Sequence, residues 1–129
     1  KTEIKILYQK EYEVAKQALN DQLESLCMSP DDAVFSCQKL IIPALKSQDA
    51  ARLYIKMLTE IFKDLLNLSV NESITLKSYD NILHELLNHV THIDKSLVML
   101  TSSLKKLDLN VNIGLLLDHI VYQITREGK

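Results

Sequence analysis

The stretch Lys105-Lys-Leu-Asp-Leu-Asn-Val-Asn-Ile-Gly-Leu-Leu-Leu-Asp-His-Ile-Val-Tyr-Gln-Ile124 decides the fold class. It reads as the end of one helix, a short break punctuated by asparagine, and then an amphipathic helix running to about residue 125. Asn110 or Asn112 supplies the cap of that last helix. Its main face is Ile113, Leu116, Leu117, Ile120, Val121 and Ile124, which at 100° per residue spans about 140°. Leu115 and Tyr122 stand on the other side with His119 and Arg126 beside them, which makes that patch a candidate contact surface.

Working back from this hairpin, the chain predicts five or six helices and no strands. Residues 92–107 carry Ile93, Leu97, Leu100, Leu104 and Leu107 at helical spacing, and a shorter helix is expected over 79–88. The polar segment 69–78 is the longest connection. Upstream, Ser47 caps a helix over 48–68 whose apolar side is unusually wide. Leu53, Met57, Ile61, Tyr54, Leu65, Leu58, Phe62, Ile55 and Leu66 fill an arc of roughly 220°. Arg52, Lys56, Thr59, Glu60, Lys63, Asp64 and Asn67 take the polar remainder. An outer helix needs a stripe of only about 100° or slightly more, so this one is central or shared between a core and a partner.

Two further helices open the chain. The first covers 2–26, with Ile4, Tyr8, Tyr12, Ala15, Leu19, Leu23 and Leu26 in phase. Ser29-Pro30-Asp31-Asp32 starts the second: a capping serine, a proline at the first helical position and two carboxylates against the positive end of the dipole. Pro43 ends or kinks it.

The composition agrees with an all-α, single-domain bundle of 129 residues. Two Gly and two Pro leave long helices with few breakers, and 47% of the residues are hydrophobic. Net charge is −2, with 15 basic and 17 acidic residues, and only Arg52 and Arg126 are arginines. A nucleic-acid-binding face would need Lys10, Lys16, Lys95, Lys105 and Lys106 to converge, against the sign of the net charge. No apolar run reaches the ~18 residues of a membrane span, and no signal peptide is expected. Position 1 is Lys, which suggests a fragment of a longer protein. The two glycosylation sequons at Asn67 and Asn71 are read as chance.

The residues that could carry chemistry are each explained without it. His84-Glu-Leu-Leu-Asn-His89 has one residue too many between Glu and His for a zinc-protease motif, and helical positions five apart diverge by about 140°. His89 and His92 lack a third ligand nearby. Cys27 and Cys37 are expected as thiols rather than a disulfide or a nucleophile. Asp31 and Asp32 are helix-start residues, and Lys105 and Lys106 belong to a solvated face. No Gly-rich phosphate loop exists. The expectation is a domain that is not an enzyme and uses no cofactor or metal.

Two motifs resemble a known family. Lys63-Asp64-Leu65-Leu66, within Ile61-Phe-Lys-Asp-Leu-Leu-Asn-Leu68, resembles the basic-Asp-Leu-Leu pattern of the C-terminal collar domain of the delta-prime subunit of bacterial DNA polymerase III clamp loaders. Asn110, Asn112, Leu115, Leu116, Leu117, Asp118, Ile120 and Val121 look like that domain's ending. Lys63 stands where the family often has Arg, and Asp118 where it often has Glu. The likeness covers roughly residues 52–124. It implies a cytoplasmic structural domain that packs beside the delta and tau/gamma subunits in a five-membered ring. Holding that ring together while its ATPase regions load the sliding clamp would be its role in DNA replication. No direct sequence-specific contact with nucleic acid and no membrane are implied. The delta and tau/gamma collars are homologous, and the paired asparagines favour delta-prime. Tyr54, Phe62, Leu66, Leu115 and Tyr122 are the expected subunit contacts, because aromatic and large apolar side chains carry much interface energy. A free-standing helical signalling or adaptor bundle is the alternative.

Overall fold

Three signals in the sequence fix where the helices begin. In the computed structural model, which describes residues 2–126 and side chains from Tyr8 onward, Ser29 accepts a hydrogen bond from the Asp32 amide at 3.0 Å and opens a helix at Pro30. Ser47 does the same for the Ala50 amide at 3.0 Å. Asn112 Oδ1 accepts from the Leu115 amide at 2.9 Å. Each side-chain oxygen satisfies one of the N–H groups that a helix start leaves without a partner.

The elements are α1 (Thr2–Met28), α2 (Pro30–Ser36), a π-turn (Cys37–Ile41), α3 (Ile42–Ala44), α4 (Gln48–Ser69), a 3₁₀ turn (Lys77–Tyr79), α5 (Asp80–Leu86), α6 (Ile93–Leu107) and α7 (Ile113–Arg126). The described residues include no strand. Because α2, the π-turn and α3 run on as one rod, the bundle has six helical segments, within the five or six expected from the sequence. Five of them close into a ring: α1 lies on α4, α4 on α6, α6 on α7, α7 on α2, and α2 returns to α1. The short α5 packs against α4 and α1. No described helix is long and apolar enough to cross a membrane.

Pro43 does not end its helix at once. Its ring would collide with the carbonyl four residues back, and it has no N–H to give that carbonyl. The chain widens by one residue just before it, so that the Ile42 amide donates five residues back to Cys37. The widening also solves a packing problem. Ala33, Cys37, Ile41 and Leu45 are all buried and spaced by four. In a regular α-helix that spacing drifts by about 40° per step. Under-winding over Cys37–Ile41 reduces that drift between Cys37 and Ile41.

Helix α4 is central, not shared. Ala50, Ala51, Tyr54, Ile55, Leu58, Thr59, Ile61, Phe62, Asp64 and Leu65 are all buried along it. Its wide arc is taken up by α1, α6 and α5. Leu53 and Met57 are half-buried and Leu66 is exposed. Two residues assigned to the polar side are inside. Thr59 returns its hydroxyl to the Ile55 carbonyl at 2.7 Å. Asp64 accepts from the Thr75 amide and hydroxyl, each at 3.0 Å, and from the Leu76 amide at 2.8 Å. Its carboxylate therefore pins the connection after α4, placing Ile74 in the core.

The inward line of α6 is Ser96, Leu100, Ser103 and Leu107, with Ile93, Leu97 and Leu104 half-buried beside it. The expected leucine line is thus rotated, so that two small serines face the bundle. Along α1, burial begins at Ala15; Tyr8 and Tyr12 are exposed, and the side chain of Ile4 lies outside the described residues. The start of α4 is strapped to the end of α6: the Gln48 side-chain amide Nε2 donates to the Leu107 carbonyl, and Arg52 pairs with Asp108.

With so few glycines, other residues make the left-handed turns. Asn71 (φ 62°), His92 (φ 52°) and Asn110 (φ 61°) do so. After α4 the Glu72 amide reaches back to the Asn67 carbonyl at 2.8 Å, closing the helix end around Asn71. The two asparagines before α7 thus divide the work. Asn110 turns the chain, and Asn112 caps the helix. Replacing Asn112 by Ala should cost about 1 kcal/mol of stability in urea denaturation, whereas Asn110→Gly should be nearly neutral because glycine adopts positive φ freely. Equal losses at the two positions would refute this division.

Candidate contact surface

Helix α7 has two faces with different fates. Leu116, Leu117, Ile120, Val121 and Ile124 are buried, matching the face read from the sequence. Leu115 is 72% exposed and Tyr122 54% exposed. Between them and α2 runs a groove of about 390 Å³ lined by Val34, Gln38, Leu115, Asp118, His119 and Tyr122. A smaller depression of about 250 Å³ continues it toward Lys106 and Val111, and Leu115 and His119 line both. Tyr122 is covered on one side by Arg126, whose guanidinium lies 5.7 Å from the ring centre. Arg126 also lies 3.7 Å from the exposed Asp31 at the start of α2.

Of the five expected subunit contacts, the structure separates two from three. Tyr54 and Phe62 are 2% and 0% exposed, core side chains of α4 with no surface to offer. Breadth of an apolar arc cannot distinguish a helix surrounded by its own neighbours from one facing a partner. Leu66, Leu115 and Tyr122 are exposed, and the last two share the groove. Leu66 lies on α4 and lines none of these surfaces.

The resembling motif residues have local duties. Asp64, Asn110 and Asn112 hold turns, as described above. Lys63 pairs with Glu60 at 3.2 Å on the surface. It lines a shallow depression between α4 and α6 with Lys105, Thr101 and Val98. Lys106 faces the α7 side instead, so the two adjacent lysines diverge. Asp118 lies half-buried among the residues that line the groove.

The nucleophile-like groups are quenched. Cys27 and Cys37 are free thiols. Burial, and then the Asp118 carboxylate, push the Cys37 thiol up to about 12, so almost no reactive thiolate exists near neutral pH. Its S–H points to the Leu117 carbonyl at 3.6 Å. Burial also raises Cys27, helped by Glu85 and Glu24. His84 and His89 each turn to a carboxylate one helical turn back, Asp80 at 3.5 Å and Glu85 at 3.8 Å. No group of three or more metal-ligating side chains is gathered among the described residues.

No family model matches this chain, and neither a curated protein nor a solved structure matches it.

Proposed function

We propose that this domain is a non-catalytic association module that offers the outer face of α7, with α2 as one wall, to a protein partner, and that the assembly it serves is the collar of a bacterial clamp loader. The observation that carries the first half is the exposure of Leu115 and Tyr122 on a helix whose remaining apolar residues are all used by the core. Two large and mainly exposed apolar side chains beside a groove are what a docking surface requires. The second half is supported by the sequence resemblance, chiefly the leucine, acid and aliphatic pattern from Leu115 to Val121. The all-helical architecture is compatible with it. On this reading the domain supplies helix surface to neighbouring delta and tau/gamma subunits and performs no bond chemistry.

The test is to mix the folded domain with purified delta and tau/gamma subunits and measure complex mass by light scattering after gel filtration. A stoichiometric complex is expected. Tyr122→Ala or Leu115→Ala should weaken it by about 2 kcal/mol, roughly thirtyfold in Kd, without changing the melting temperature. No complex at tens of micromolar would overturn the collar assignment and leave the adaptor reading, in which the same surface serves a different partner.

A further inference from the structure

The groove between α2 and α7 holds a carboxylate, Asp118, that forms no ion pair among the described residues. Asp118 is half-buried and lines the groove together with Val34, Leu115 and the Tyr122 ring. Among the described residues no basic side chain comes within ion-pair distance of its carboxylate; Arg126, two turns along α7, is directed to Asp31 and the Tyr122 ring instead. His119 follows Asp118 in sequence and lines both this groove and the second depression, but forms no ion pair with Asp118. A half-buried carboxylate among apolar side chains, with no ion pair of its own, can serve as the counter-charge to a cationic guest. The charge is felt inward, since it helps hold the Cys37 thiol protonated.

We infer that this groove receives an arginine side chain carried on an apolar segment of a partner protein, with Asp118 as its counter-charge. The inference rests on the docking role proposed above and specifies its chemistry. The apolar lining suits the guest's hydrocarbon stem, and the Asp118 carboxylate suits its guanidinium. Arginine fits better than lysine, because the guanidinium is less strongly hydrated and offers paired donors to a carboxylate. The Gln38 side chain on the opposite wall adds an amide oxygen within the same groove. An acidic segment would meet Asp118 as a like charge and be rejected.

The experiment uses the whole chain, labelled with ¹⁵N, and three amphipathic helical peptides. They share one leucine stripe and differ only at its centre, which holds Arg, Gln or Glu. The Arg peptide should shift the amides of Val34, Gln38, Leu115, Asp118 and Tyr122 and bind about tenfold more tightly than the Gln peptide, with the Glu peptide weakest. Asp118→Asn should erase the preference for Arg while leaving the fold and the weaker apolar binding in place. Equal binding of the Arg and Gln peptides, a preference that survives Asp118→Asn, or no shift from any peptide would each overturn the inference. The subunit-mixing experiment is independent. A complex formed there without an arginine preference here would retain the docking surface and reject its assigned chemistry.

Discussion

Truncating Phe62 to alanine should destabilise the isolated domain by about 3–5 kcal/mol, although by sequence it stands among the candidate contacts. Its ring is wholly buried on the helix that three others surround. Removing it forfeits the transfer free energy of the ring and leaves a cavity that neighbouring leucines only partly fill. Against a typical stability of about 5–15 kcal/mol, that is a large fraction of the total. The melting temperature should fall by roughly 10–20 °C, and the urea midpoint should fall with an unchanged slope. Leu66→Ala, on the same helix but 38% exposed, should cost under about 1 kcal/mol. A Phe62→Ala domain as stable as its parent would mean that the ring belongs to an interface after all.

Asp64 is the second position where a single change should be severe. Its two oxygens take three hydrogen bonds from Thr75 and Leu76, and its own side chain is buried. Asp64→Ala leaves two backbone N–H groups without their acceptor, at a cost of about 2–4 kcal/mol. Asp64→Asn is the sharper probe. One amide oxygen can still serve Thr75, but the amide nitrogen then faces the Leu76 N–H, donor against donor, and about half the loss should remain. Hydrogen exchange gives the local signature: the Thr75 and Leu76 amides should lose protection beyond what global destabilisation explains. If both variants match the parent in stability, the clamp has no energetic role.

Different parts of the molecule were legible in the sequence to different degrees. Helix starts at Pro30, Gln48 and Ile113 followed from capping serines and an asparagine, because a cap is a local contract between one side chain and an amide three residues on. The buried face of α7 followed from periodicity for the same local reason. The role of Asp64 did not. Its partners lie eleven and twelve residues away, and a helical wheel records only that it is charged. The apolar Ile74 and Leu76 inside an otherwise polar connection were the available hint that this loop is held inward. The rotation of α6 toward Ser96 and Ser103 was hidden because small polar residues can be buried where helices approach closely. Tyr54 and Phe62 show the limit of composition as a guide to interfaces. Their chemistry suits a partner, and only the ring of helices reveals that their partners are internal. The groove was half visible. Leu115 and Tyr122 could be placed on one side of α7, but the opposing wall comes from Val34 and Gln38, some eighty residues earlier.

The closed ring has a consequence for how the chain acquires its structure. Helix α7 shuts the circle between α6 and α2, and it is the last of the six segments to leave a ribosome. Until it emerges, the faces that it covers, including that of Cys37, whose thiol meets the Leu117 carbonyl, have no lid. Shorter nascent chains can pair α1 with α2 and α4 with α6, yet they hold an open, adhesive arc. Completion is therefore a single late event, and the interval before it is when this domain is most exposed to aggregation and most in need of a chaperone.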